Sequence, residues 1–239
     1  MNRRQYLSVG TTAFALAVAG CMDNDDTQEF PPYPDSESTE FDGEGDTVTE
    51  SFELVNDGPM ILDVQHEGDD RFVAFAVTDD DQEFVQGGPT IQAAGPYRGS
   101  SIHSLENDRY RLEVEASGEW TATVYDLPAY EDGVGLQIPI EHEGALGDVI
   151  GPIDFGEAAT RQFHAEFQEA SEANIVELLN RGGEFAGTLF DAETTAETDS
   201  ANETAEVTET ETRQSIEVSG VGYLSIRSGV EWTVSVQEQ

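Results

Sequence analysis

RYRLEVEASGEWTATV, residues 109–124, alternates with a period of two. Tyr110, Leu112 and Val114 fall on one face, and Arg109, Arg111, Glu113 and Glu115 on the other. After Ser117-Gly118, which reads as a tight turn, Trp120, Ala122 and Val124 resume the apolar face. That period belongs to half-buried β-strands, not to helices. The same signature runs outward in both directions. Leu62 and Val64 share a face in MILDVQHE (60–67), and Phe72, Ala74 and Ala76 alternate with Val73, Phe75 and Val77. Gly87-Gly88-Pro89, Gly95-Pro96 and Asn107-Asp108 punctuate as turns. No segment carries an amphipathic helical pattern. Short strands at close spacing predict an all-β chain of antiparallel sandwich type.

The stretch also has a partner. LEVEASGEWTATV (112–124) aligns with LSIRSGVEWTVSV (224–236) at a constant offset of 112, pairing Leu112 with Leu224, Trp120 with Trp232 and Val124 with Val236. Upstream, Phe72 aligns with Phe185 at 113 and Phe52 with Phe163 at 111, while ILDVQHEG (61–68) resembles IVELLNRGG (175–183). The expectation is two tandem antiparallel β-sandwich domains, 47–128 and 133–239, joined at PAYEDG (128–133). In GVGLQIPIEHEG (133–144), Val134, Leu136, Ile138 and Ile140 form a first strand of the second module, and Pro139 places it at an edge. Opposite the pieces EFVQGGPTIQ and YRGSSIHSL of the first module, residues 192–212 hold almost only Thr, Glu and Ala. They are expected to form an exposed Thr/Glu-rich loop. Asn202-Glu203-Thr204 within it is a glycosylation sequon.

The chain has 50 acidic and 10 basic residues, a formal net charge of −40. Every basic residue is Arg. High charge alone signals disorder or an acidic tail, but these acids are spread along alternating strands that carry Trp, Phe and Tyr. The pattern fits a folded domain with an acidic coat, as in an extreme halophile. In molar salt the Debye length falls to about 3 Å and self-repulsion is screened. Nucleic acid is excluded as a partner, because neutralising phosphates requires clustered Lys and Arg.

The N-terminus supplies an address. Arg3-Arg4 precede an uncharged run of small and apolar residues (9–20) that ends in Val18-Ala19-Gly20-Cys21. This reads as a twin-arginine lipoprotein signal peptide, residues 1–20, with Cys21 as the lipid attachment site. Cys21 is the only cysteine, so disulfides are excluded. Cleavage before Cys21 removes two Arg and no acid, leaving the mature chain more negative still. Residues 21–46, with DNDD, FPPYP and a Ser/Glu/Gly/Asp run, are expected to be a disordered acidic tether. The location this implies is the outer face of the cytoplasmic membrane, exposed to the extracellular side.

Phe52-Glu53-Leu54, Val64-Gln65-His66-Glu67-Gly68, residues 72–77 and residues 110–124 together resemble the repeated β-sandwich modules of prokaryotic, especially haloarchaeal, exported proteins and lipoproteins. In the second copy Asn180 stands where the His is expected, and Tyr223 is shifted by one place. The resemblance implies the fold and the location and no particular activity.

Candidate chemistry is sparse. No nucleotide loop, nucleophile elbow or zinc signature occurs. His164 and Glu166 share a strand face, His142 is flanked by Glu141 and Glu143, and His66 and His103 lie near strand ends. A catalytic metal needs three converging ligands, which these spacings do not assemble, so no metal and no cofactor is expected. Asp79-Asp80-Asp81 lacks the spacing of a calcium loop. Trp120 and Trp232 are in phase with core residues and read as packing, not as a sugar platform. The leading expectation is a non-enzymatic, lipid-anchored surface protein with a structural, adhesive or binding role toward a protein or glycan at the envelope. The alternatives are a metal-dependent envelope hydrolase, in which His142 and His164 converge, and a solute-binding lipoprotein of a transporter, which requires α/β lobes.

Overall fold

The computed structural model describes residues 33–79, 90–169, 171, 173–191 and 211–239. The signal peptide, Arg3, Arg4, Cys21, Asp80, Asp81 and the Asn202 sequon lie outside the described residues. Residues 33–239 form one compact unit.

The described chain is all-β, with three antiparallel sheets and no helix. The first sheet runs in the order β1 (Glu37–Glu44), β9 (Glu119–Asp126), β4 (Met60–His66), β7 (Tyr97–His103). The second runs β2 (Thr47–Val48), β8 (Arg109–Glu115), β5 (Arg71–Thr78), β6 (Ile91–Ala94), with β3 (Phe52–Glu53) also beside β8. Their alternating apolar faces meet in one core. Leu62, Val64, Trp120, Ala122 and Val124 come from the first sheet and Phe72, Ala74, Ala76, Leu112 and Val114 from the second. Each large side chain buried there stabilises the fold by about 1.5–3 kcal/mol before entropy is counted. The alternation read at 109–124 therefore holds, with one correction. Ser117-Gly118 closes no hairpin, because β8 and β9 belong to different sheets. The chain crosses over there, close to Gly68: a Cβ on Gly118 would lie 2.8 Å from the Gly68 Cα.

The third sheet holds β11 (Ile140–Ala145), β16 (Glu231–Glu238), β12 (Asp148–Phe167), β15 (Glu211–Arg227), β13 (Ile175–Asn180) and β14 (Phe185–Asp191), in that order. A short β10 (Leu136–Gln137) lies parallel to β12. Its two long strands change register between Ile150 and Ala159, where Gly151, Gly156 and Gly220 take positive φ. Such bulges bend a strand. The first part of β12 pairs with the last part of β15 next to β13, and the last part pairs with β16 as well as with the start of β15. The bend brings Phe167 of β12 against Phe190 of the edge strand β14, with ring centroids 4.8 Å apart. The result is sandwich-like, formed from one bent sheet.

Three further expectations need correction. Within 21–46, residues 37–44 are strand, not tether, because β1 pairs along its whole length with β9. Within 192–212, Glu211 and Thr212 already belong to β15, opposite Glu166 and Ala165. The strand expected from Val134 to Ile140 is interrupted at Ile138-Pro139, leaving β10 and an edge strand β11.

Register relates the two halves more closely than sequence did. β9 lies between β1 and β4, pairing Trp120 with Gly43 and His66. β16 lies between β11 and β12, pairing Trp232 with Gly144 and Phe167. The offset of 112 from Trp120 to Trp232 stands, but upstream it is 101. Phe52, opposite Tyr110, corresponds to Ile153, opposite Gly222, and not to Phe163. His66 corresponds to Phe167 and not to Asn180. Phe185 is 62% exposed and no counterpart of the fully buried Phe72.

Candidate functional site

The Trp–Gly pairing shapes both halves alike. Trp120 and Trp232 are each 2% exposed. Their indole N–H groups donate to the carbonyls of Gly45 at 3.1 Å and Leu146 at 2.8 Å. Gly43 and Gly144 lie directly under the rings: a Cβ on either would come within 2.5 Å of the Trp Cζ2. Glycine is required there by close approach. Both tryptophans face the core, as the phase of their strands predicts, and form no exposed platform.

On the solvent side of these pairings lie two grooves, of about 410 Å³ in the first half and 490 Å³ in the second. They are lined by corresponding positions. The edge strands contribute Asp42, Gly43 and Glu44, or Glu143, Gly144 and Ala145. The Trp strands contribute Glu119, Trp120 and Thr121, or Glu231, Trp232 and Thr233. The third strand contributes Gln65 and Glu67, or Glu166 and Gln168, with amide and carboxylate exchanged. The third strand closes each groove with the same backbone bond, Glu67 N–H to Glu119 O at 3.0 Å or Gln168 N–H to Glu231 O at 2.9 Å. No Arg lines either groove. Both surfaces are rich in hydrogen-bond acceptors, with a hydroxyl at the centre and an amide at the wall. No sequence motif announces them, because each is assembled from three strands far apart in the chain.

The histidines do not converge. In the register β11–β16–β12, His142 shares a face with Val234 and Ala165, and His164 with Ser235 and Thr233's side of the sheet. They point to opposite faces, so the constellation required of a His142–His164 metal centre is not formed. His142 lies beside Trp232, with ring centroids 5.7 Å apart, and 3.6 Å from Asp148. His164 contacts Glu211 at 2.9 Å, and Arg213 shares that carboxylate at 2.8 Å. Glu166, on the same strand face as His164, lines the second groove. Among the described residues no three His, Cys, Asp or Glu side chains are placed to hold a metal ion.

His66 is buried beside Phe72, and its Nδ1–H donates to the Gly95 carbonyl at 2.9 Å. His103 lies 3.2 Å from the Thr90 carbonyl and 3.0 Å from the Ser101 hydroxyl, and burial lowers its pKa to about 4. A histidine so depressed is neutral near pH 7 and a weak base. Asp79 is held by Arg111 at 3.1 Å, and the same guanidinium also donates to the Asp79 carbonyl. This ion pair closes the end of β5. Asp126, 4% exposed, receives the N–H groups of Val55 and Asn56 at 2.8 and 3.1 Å. It organises the loop before β4, a role that nothing in its sequence context announced.

The sequence matches no protein-family model and no curated protein. Among solved structures, the chain is similar to BpGH86A, a beta-porphyranase of glycoside hydrolase family 86 from the human gut bacterium Bacteroides plebeius. The identity is 13%, over 87% of this chain and 37% of that one, with a TM-score of 0.16. At that score the likeness bears on neither fold nor activity. Among the described residues no helix is long and apolar enough to cross a membrane.

Proposed function

We propose that this chain is a lipid-anchored cell-surface protein of an extreme halophile, built from two tandem copies of one β-sandwich module. Its role is binding, adhesion or structure at the envelope, with a protein or glycan as partner. The observation that carries a binding role is the recurrence of one groove in both halves at eight corresponding positions. The acceptor-rich lining suits a partner that presents hydroxyl or amine donors, and two grooves on one body allow bivalent engagement. The anchor reading rests on Arg3-Arg4 and on Val18-Ala19-Gly20-Cys21. A diacylated cysteine gives stable membrane attachment where one acyl chain does not. The acidic coat supports a salt-rich surrounding.

The test is fractionation of cells that produce the full chain. Wild-type protein is expected in the membrane fraction and accessible to externally added protease. Cys21→Ser is expected in the medium. Retention of Cys21→Ser on membranes contradicts the anchor.

A further inference from the structure

The seam between the halves holds more than the two halves. The outer face of the first sheet is not left to solvent there: Ile61 and Leu127 join Val149, Leu179, Val221 and Tyr223 of the second half in one buried cluster. Among the described residues Ser100 carries direct polar links across the seam, and its hydroxyl oxygen accepts from Val149 N–H at 3.1 Å. Ser100 donates its N–H to the Gly147 carbonyl at 3.2 Å and its hydroxyl to Asp148 at 2.8 Å.

Into this cluster the chain inserts its own entry segment. Tyr33 packs against it, meeting Tyr125 edge-on with centroids 5.1 Å apart. Residues 33–36 form a turn in which Ser36 N–H donates to the Tyr33 carbonyl at 3.3 Å. Pro34 takes the second position, and Asp35, with φ of 57°, takes the third. That is the type II arrangement, in which proline presets the corner and the third residue adopts positive φ. The turn aims the Pro34 carbonyl at the Tyr130 hydroxyl, which donates to it from the segment linking the halves. Tyr130 is itself buried in the cluster. Burial, helped by a carboxylate from each half, Asp148 and Asp63, pushes the Tyr33 phenol well above the usual range. The entry segment, the linker and both halves thus meet in one aromatic knot.

We propose that residues 33–36 are a clasp across this seam, holding the second half at a fixed angle to the first sheet. The two grooves then keep a fixed mutual orientation. A pull delivered through the segment upstream of Tyr33 reaches both halves at once, not the first alone. This inference stands apart from the anchor and from any partner.

The test uses the full chain carrying Cys21→Ser, with spin labels at Gln92→Cys in the first half and Gln214→Cys in the second, both exposed. Double electron–electron resonance reads the distance distribution between them. The parent is expected to give one narrow distribution. Tyr33→Ala, which empties the ring's place in the cluster, is expected to broaden it roughly twofold or more, as hinge motion between domains does. Tyr33→Phe keeps the ring and is expected to leave the distribution narrow, while Tyr130→Phe, which loses only the bond to Pro34, is expected to broaden it partially. Tyr110→Phe, inside the first half with its hydroxyl on the Glu106 carbonyl, is the control for general loosening. An unchanged distribution for both Tyr33→Ala and Tyr130→Phe overturns the clasp, and so does equal broadening by Tyr110→Phe.

Discussion

Replacing Gly144 by Ala adds one methyl group at a place where the second half has little room for it. The new Cβ would lie 2.5 Å from Cζ2 of Trp232 and 3.0 Å from Cε2 and Cη2. Carbon atoms prefer about 3.5–4.0 Å, so the indole or the edge strand must retreat by about 1 Å. The ring has nowhere easy to go. It is 2% exposed, lies beside His142, and is fixed by its N–H bond to the Leu146 carbonyl at 2.8 Å. Overpacking of this kind costs about 1–3 kcal/mol, and loss of the indole bond adds about 0.5–1.5 kcal/mol. A destabilisation of about 2–4 kcal/mol is expected, read as a lower urea midpoint by tryptophan fluorescence in molar salt. Gly43→Ala is expected to behave alike, because its Cβ meets Cζ2 and Cε2 of Trp120 at 2.5 and 2.7 Å. Gly187→Ala is the control. It lies on the edge strand of the same sheet as Gly144, with nothing within 4 Å of an added Cβ. Its effect should stay within about 0.5 kcal/mol. If Gly144→Ala proves no more costly than Gly187→Ala, the close-approach account of the Trp–Gly pairing is wrong.

Three other outcomes are expected. His103 has a folded pKa near 4 against 6.5 for the free side chain. Its contribution of about 3 kcal/mol is therefore complete above pH 6.5 and lost as pH falls through 4. The stability difference between wild type and His103→Gln should shrink across that window and nowhere else between pH 4 and 8. Asp126→Ala strips two backbone N–H groups of a charged acceptor. It should cost about 2–4 kcal/mol, with urea denaturation as the measure and Asp126→Asn recovering part of the loss. Dilution from molar to low salt should loosen the fold of a chain whose full sequence carries a net charge of −40, seen as red-shifted tryptophan emission. Unchanged emission would contradict the halophile reading.

Much of the fold was legible because a half-buried strand must alternate, and the Trp strands do so without interruption. What was missed has physical reasons. β1 reads as stalk because ESTEFDGE holds one large apolar residue, Phe41, which packs on Phe52 at 5.9 Å. An edge strand with one solvent face and few core contacts needs no more. The upstream alignment matched Phe52 to Phe163 on aromatic character alone, whereas register gives Ile153. Core positions accept any apolar side chain of suitable size, so aromatic identity is a poor guide there. The Trp–Gly pair is sterically exclusive, and for that reason the offset of 112 survived. The grooves and the Tyr33 knot were illegible for another reason: both are assembled across strands, and neither follows any periodicity along the chain.

The account as a whole turns on Cys21. Protein extracted from membranes, digested and analysed by mass spectrometry is expected to begin at Cys21 and to carry two lipid chains on the N-terminal peptide. An unmodified peptide spanning Ala19-Gly20-Cys21-Met22 would contradict it.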